Sequence, residues 1–202
     1  MASSKTEICN LALSHLGIGK EVANIDSEQS AEASACRRFY ETAKDECLRD
    51  FNWPFTTTFA TLGLVEIDPT DEWAYSYRYP SDCLKLRRIL SGLRNDNRQS
   101  RVPYKMGQDT EGLLLYTDMQ NAKIEYSVRE DDTDRYPVDF TVALSYKMAV
   151  YIAPRLAAGD PFGLAGKAMQ MYSYTVAKAA NSALNEEQVE EDPQAESIRS
   201  RD

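Results

Sequence analysis

Histidine is nearly missing from this chain of 202 residues, with His15 as its single copy. One imidazole leaves a serine or cysteine nucleophile a single possible base, and it leaves a zinc site short of neutral nitrogen ligands. Glycine (9) and proline (8) are too few for a collagen-like or low-complexity chain. No apolar run approaches the roughly 18 residues of a membrane-spanning helix, and the mean hydropathy is −0.52. The stretch from Met1 to Glu7 has no apolar segment of signal-peptide length, so the chain is expected to stay in the cytoplasm of the cell that makes it. The G-x-S-x-G elbow, the P-loop, the H-E-x-x-H helix and the dinucleotide fingerprint are all missing.

The chemistry that remains reads as structural. Cys9, Cys36, Cys47 and Cys83 have no CxxC spacing, and without an export signal they are expected to be reduced, buried thiols. The acids after Glu130, Asp131-Asp132-Thr133-Asp134, lack the glycine and the ligand alternation of an EF-hand and read as a solvated turn. The stretch Asp68-Pro69-Thr70-Asp71-Glu72 reads as a turn between strands. His15, near the end of a short helix, is expected to cap or pack. No catalytic residue, metal ligand or cofactor site is expected.

What is present is the balance of a globular chain, 43% hydrophobic and 27% charged, of a size for one domain or for a body with an inserted subdomain. Its net charge of −9 argues against a general nucleic-acid coat. That charge is uneven. Residues 186–202 hold seven acids against Arg199 and Arg201, and such an acidic, aromatic-free tail is expected to be disordered in the free protein. Lys85 to Lys105 holds seven basic residues and one acid, Asp96.

Ser4 and Glu7 form a capping-box pattern ahead of Ile8, Leu11, Ala12 and Leu16, which predicts a first helix ended by Gly17 and Gly19. A second helix is predicted from a cap at Asp26 or Ser27 to about Asp50, with the stripe Ala31, Ala35, Phe39, Ala43, Cys47 and Phe51 buried. The short glycine-bearing link between them predicts an antiparallel pair. From Phe51 to Arg129 the period becomes two. Four to six antiparallel strands are expected, with the basic strip on a hairpin loop and its flanks. Asp139 is the predicted cap of an almost wholly apolar third helix, 140–158, kinked or interrupted at Pro154, and such a girth needs cover from other elements or other subunits. An Ala- and Met-rich helix is predicted over 162–184. The expected fold class is α+β: an antiparallel helical bundle (1–55 and 136–185), an inserted antiparallel β subdomain (56–135) and a flexible acidic tail (186–202).

Twelve tyrosines, several of them in the alternating run Trp73 to Tyr79, leave core and interface both open for Tyr75 and Tyr77. For the basic strip, a solvated loop, an acidic protein partner and nucleic acid all stay open. A stacking platform for single strands is disfavoured, because no aromatic lies between Arg87 and Arg101.

Three ordered motifs carry a family resemblance. Thr6-Glu7-Ile8-Cys9-Asn10-Leu11-Ala12-Leu13-Ser14-His15-Leu16-Gly17 resembles the x-I-x-N-x-A-L-x-x-L-G opening of tailed-phage head-to-tail adaptors, called tail tubular protein A in short-tailed phages. Cys47 to Phe55, at the end of the second helix, is similar to the L-x-x-x-x-W-x-F-A junction, with Thr56 where alanine is usual. Trp73 to Leu86 is similar to the Y-x-Y-x-x-P-x-D-C-L-R-V segment, which begins at Tyr75 and has Lys85 and Leu86 at its last two positions. The resemblance spans residues 6–86. It implies a virion protein of the neck with no enzymatic activity, forming a ring, usually of twelve subunits, below the portal protein. The ring joins the portal to the nozzle or tail tube, and genomic DNA passes through its channel without sequence-specific binding or any membrane. The candidate partner-interface residues are Arg94, Arg98 and Arg101, expected at a protein junction or the rim of the β part, Tyr75 and Tyr77, and Glu190, Glu191 and Ile198 of the acidic tail, the expected counterpart of the family's portal-docking segment. Two other classes stay open: a regulatory nucleic-acid-binding module using the 85–105 strip, and a small carboxylate-dependent enzyme.

Overall fold

The computed structural model describes residues 4–93, 102–157, 159–160 and 162–186. These residues form a mixed α+β fold of four α-helices and two antiparallel sheets. In chain order the elements are α1 (Lys5–His15), α2 (Ala31–Asp50), β1 (Thr57–Thr61), β2 (Leu64–Thr70), β3 (Trp73–Arg78), β4 (Cys83–Ile89), β5 (Lys105–Gln108), β6 (Leu113–Thr117), β7 (Lys123–Val128), α3 (Val138–Leu156) and α4 (Leu164–Glu186).

α1 opens as its sequence predicts. Ser4 Oγ accepts from the Glu7 amide at 3.2 Å, and Glu7 Oε2 accepts from the Ser4 amide at 2.8 Å. Gly17, with φ +72°, takes the left-handed conformation just past the helix.

α2 begins later than predicted. Its cap is Ser30, because the Asn24 carboxamide accepts from the amides of Asp26 and Ser27 and folds that stretch into a turn. The link between the helices therefore runs over 16–30. α1 and α2 do not form the expected close pair. Both pack on α3, and they meet each other through the Cys9 and Cys36 thiols. The buried stripe of α2 is Ala33, Cys36, Tyr40, Ala43, Lys44 and Cys47 with its neighbours, whereas Ala31 is exposed and Phe39 and Phe51 are half-buried.

α3 differs from expectation at both ends. Asp139 lies inside its first turn and Pro137 occupies the cap position, with no side-chain cap. Pro154 sits in the last turn and does not interrupt the helix, which ends two residues later. α1, α2 and α4 of the same chain cover most of its apolar girth, with Val138 left exposed. α4 is capped by Asp160, whose carboxylate accepts from the amides of Leu164 (2.6 Å) and Ala165 (2.8 Å). It buries one face through Ala168, Tyr172, Thr175 and Ala179.

The helices share one core. Trp53 sits at its centre, edge-on to Phe140 with ring centroids 5.0 Å apart, and its indole N–H donates to the Cys47 carbonyl at 2.8 Å. Burying a side chain of this size contributes about 1.5–3 kcal/mol, provided that the N–H finds a partner.

Seven strands are present among the described residues, more than the four to six expected. β2 and β5 are the additions, and only Asp71 and Glu72 form the turn that was expected over 68–72. The sheets run β1-β7-β4 and β2-β3-β6-β5. β4 pairs with β7 and β5 with β6, so the basic strip does not span a hairpin as predicted. Leu62, Tyr77, Ile89, Leu115, Ile124 and Tyr126, drawn from both sheets, belong to a second core cluster. Gly107 lies within β5, where a Cβ would stand 2.4 Å from Tyr116 Cε2.

Candidate interaction surfaces

Lys85 and Arg87, at the start of the basic strip, turn toward the helices. The last carbonyls of a helix have no intrahelical partner and carry its negative dipole end. Arg87, on β4, reaches that end of α2. Its Nη2 donates to Leu48 O (3.0 Å) and Phe51 O (2.6 Å), and its Nε donates to Ser127 Oγ (2.8 Å). Lys85 donates to Arg49 O at 2.8 Å, and Arg49 returns a bond to Leu84 O at 3.1 Å. Arg88 Nε meets Glu125 Oε2 at 2.6 Å. Two of the seven strip cations, Lys85 and Arg87, thus join the sheet to the helices, and Arg88 joins β4 to β7. Arg94, Arg98 and Arg101 lie outside the described residues, as do Glu190, Glu191 and Ile198.

The two tyrosines part company. Tyr77 is 1% exposed and donates its hydroxyl to Met119 O at 2.8 Å, so it is a core residue and not the partner-facing ring of one expectation. Tyr75 is half-buried, its ring 6.2 Å from that of Tyr77.

Two lysines are buried between helices or beside a loop, each matched to acids. Lys147 Nζ lies 3.0 Å from Glu46 and 3.3 Å from Asp50; Asp50 also accepts from Tyr172 (2.8 Å), and Glu46 from Tyr151 (2.6 Å). Burial pulls the Lys147 pKa down, but Glu46 and Asp50 outweigh it and hold the amine above its ordinary value. A nucleophilic lysine needs the opposite shift. Lys44 is held charged in the same way by Asp131 and Glu41, against burial. Asp131 is therefore an ion-pair partner within the fold, and more than the solvated turn expected there.

The thiols and the imidazole are similarly occupied. Hydrogen bonding with Cys36, then burial, raises the Cys9 thiol pKa; burial pushes Cys47 up to about 12. Such thiols are poor nucleophiles at neutral pH. His15 Nε2 lies 3.0 Å from Ser145 Oγ, its ring stacks on Tyr146 at 3.9 Å, and burial lowers its pKa. It packs and does not cap the helix as a cation. Among the described residues, no group of three His, Cys, Asp or Glu side chains is arranged to hold a metal, and no helix is long and apolar enough to cross a membrane.

Exposed apolar surface is where the molecule offers contacts. β2 presents Leu64, Val65 and Ile67, and the outer side of α4 presents Met169, Met171 and Tyr174, with Phe162 just ahead of it. The β2 surface was missed at the sequence level, where Asp68 and Pro69 masked the β-branched run before them. Two grooves flank β1, one between the sheets lined by Leu62, Arg78, Tyr79 and Cys83, the other lined by Phe51, Phe59, Glu125 and Ala180. Compared with family models and with curated proteins, the chain matches none.

Proposed function

We propose that this chain is a structural head-to-tail adaptor of a tailed phage, a ring-forming neck protein between the portal and the nozzle or tail tube, without catalytic activity. In this reading residues 1–55 and 136–185 are a helical ring-forming body, 56–135 an inserted β subdomain directed at the next tail protein, and 186–202 a segment that docks on the portal. The genome passes through the channel without sequence-specific contacts.

The observation that carries the reading is the use made of the three motifs. In the first, Ile8, Ala12, Leu13 and Leu16 are buried and Asn10 clamps the following loop, donating to Val22 O (3.0 Å) and accepting from Val22 N (2.9 Å). In the second, Leu48 and Trp53 join α2 to β1 through the helical core. In the third, Asp82 accepts from Tyr126 at 3.2 Å, and Leu84 and Lys85 connect β4 to the end of α2. The motif residues thus build the joints between helices and sheet, as a shared scaffold requires. Exposed apolar strips on β2 and α4 suit a protein surrounded by neighbours.

The rival readings draw less support. A nucleic-acid module needs the strip cations free for phosphate, but Lys85, Arg87 and Arg88 are committed to carbonyls and Glu125. A carboxylate enzyme needs acids converging on open space, whereas Glu46, Asp50 and Asp131 face lysines. Mixing the protein with the portal protein from the same genome tests the proposal: co-sedimentation as a stoichiometric ring complex supports it, and two independent boundaries contradict it.

A further inference from the structure

Among the described residues the four-stranded sheet is open at both edges, with β2 on one side and β5 on the other. The two edges are unlike. β2 exposes Leu64 (52%) and Ile67 (61%) on either side of Glu66, and β5 exposes Met106 (42%) next to Lys105, with Tyr104 (41%) just before it. Pairing across the sheet sets Ile67 opposite Tyr75, Leu64 opposite Tyr77, Tyr77 opposite Leu115 and Leu115 opposite Met106, so the apolar edge residues lie on one face. Glu66 connects in the same manner through Ser76 and Tyr116 to Lys105, so acid and base lie on the other. Edge strands carry unpaired backbone groups and are usually blunted. β2 is blunted beyond Ile67, where Asp68 (φ +51°), Pro69 and an irregular register spoil the ladder. Its usable length, 64–67, matches the four residues of β5.

We propose that β2 of one copy pairs with β5 of the next copy of this chain, continuing the sheet from subunit to subunit. The strand directions allow it. All neighbours in the sheet are antiparallel, so β2 and β5 run in opposite senses, and a copy related by rotation about an axis along the strands sets its β2 antiparallel to β5. The faces agree as well: Glu66 opposite Lys105 of the next copy sets Ile67 opposite Tyr104. Charge selects the partner. β2 and the turn after it carry Glu66, Asp68, Asp71 and Glu72, whereas β5 carries Lys105 and no acid. Pairing β2 with β2 would bring these acids together, which is unfavourable for cross-strand neighbours. Within one chain Lys105 lies 3.4 Å from Glu72, but both side chains are largely exposed, at 63% and 72%, and such a contact is readily exchanged. The resulting contact is head-to-tail, and closes into a ring or extends as a filament. It rests on the two sheet edges and not on the adaptor reading.

Sedimentation velocity of the full chain between about 1 μM and about 1 mM tests it. The expected result is assembly beyond a dimer as concentration rises. Glu66→Lys and Lys105→Glu each weaken that assembly about fivefold or more, and the double variant returns to within about twofold of the original. A chain that stays monomeric or stops at a dimer overturns the proposal, as do reversals without effect or a double variant that fails to recover. Ile67→Asp, at an exposed position where folding is not at stake, abolishes assembly with an unchanged melting temperature; unchanged assembly overturns the proposal independently.

Discussion

Arg87 Nη2 donates to the carbonyl oxygen of Phe51 at 2.6 Å, fastening the middle of β4 to the chain as it leaves α2. The same guanidinium serves Leu48 and Ser127, so one side chain satisfies helix-end carbonyls and joins helical body to sheet. Arg87→Met removes the charge-assisted bonds and leaves those carbonyls without their donor. The expected cost is about 2–3 kcal/mol, read from urea unfolding. Arg87→Lys recovers only part of it, because an ammonium lacks the planar fork. A loss below about 0.5 kcal/mol, the ordinary range for an exposed position, would contradict this role.

Asp109 is held low by Arg78. Two parallel bonds of 2.8 and 2.9 Å, joined by the amides of Glu111 and Gly112, bring its pKa from 3.8 to about 2. A carboxylate depressed in the folded state stabilises fully above its unfolded pKa, and that contribution is lost as pH falls through the folded value, here between about 4 and about 2. Carboxyl-carbon NMR should find the Asp109 midpoint near 2, and Arg78→Gln should return it toward about 3.9. An unshifted midpoint in the parent protein contradicts the pairing.

His15 gives the chain a gentler pH dependence. Burial between Ser145 and Tyr146 lowers its pKa below 6.5, so the unfolded chain binds the proton more readily. Stability is then complete above 6.5 and declines as pH falls below it. The melting temperature measured from pH 7.5 to 5 should fall for the parent and flatten for His15→Phe, which keeps the stack on Tyr146. Equal slopes would show that the ring titrates as in water.

Gly107 and Tyr116 form a tight cross-strand contact. Gly107→Ala pushes a methyl group into the ring and is expected to cost about 1–3 kcal/mol. In Tyr116→Ala the same substitution should cost far less, a coupling that a double-mutant cycle in urea measures directly. Additive losses would mean that the ring moves aside freely.

Local chemistry was legible in the sequence wherever it decides locally. The Ser4–Glu7 box, the Gly17 stop and the strands from Trp73 and Leu113 follow from neighbours within four residues. Errors arose where two local signals competed. Asp26 and Ser27 are good caps, but Asn24 reached their amides first and moved the start of α2 to Ala31. Asp68 and Pro69 read as a turn, whereas bulged pairing lets β2 run through them.

The surfaces were less legible because their meaning is set by distant residues. Nothing local to α2 or α3 announces the burial of Lys44 and Lys147; Asp131, 87 residues from Lys44, and Asp50, 97 from Lys147, are what allow it. The alternation that drew attention to Tyr75 and Tyr77 is real, but which ring is covered depends on the second sheet, not on the strand itself. Arg87 looked like one cation among seven until α2 was folded against it.

The adaptor reading stands or falls on where the protein sits. Electron microscopy of purified particles, with this chain carrying a visible label, should find the label as a ring at the vertex between portal and tail. Particles that assemble tails and infect normally without the chain, or a label found anywhere but that junction, would contradict it.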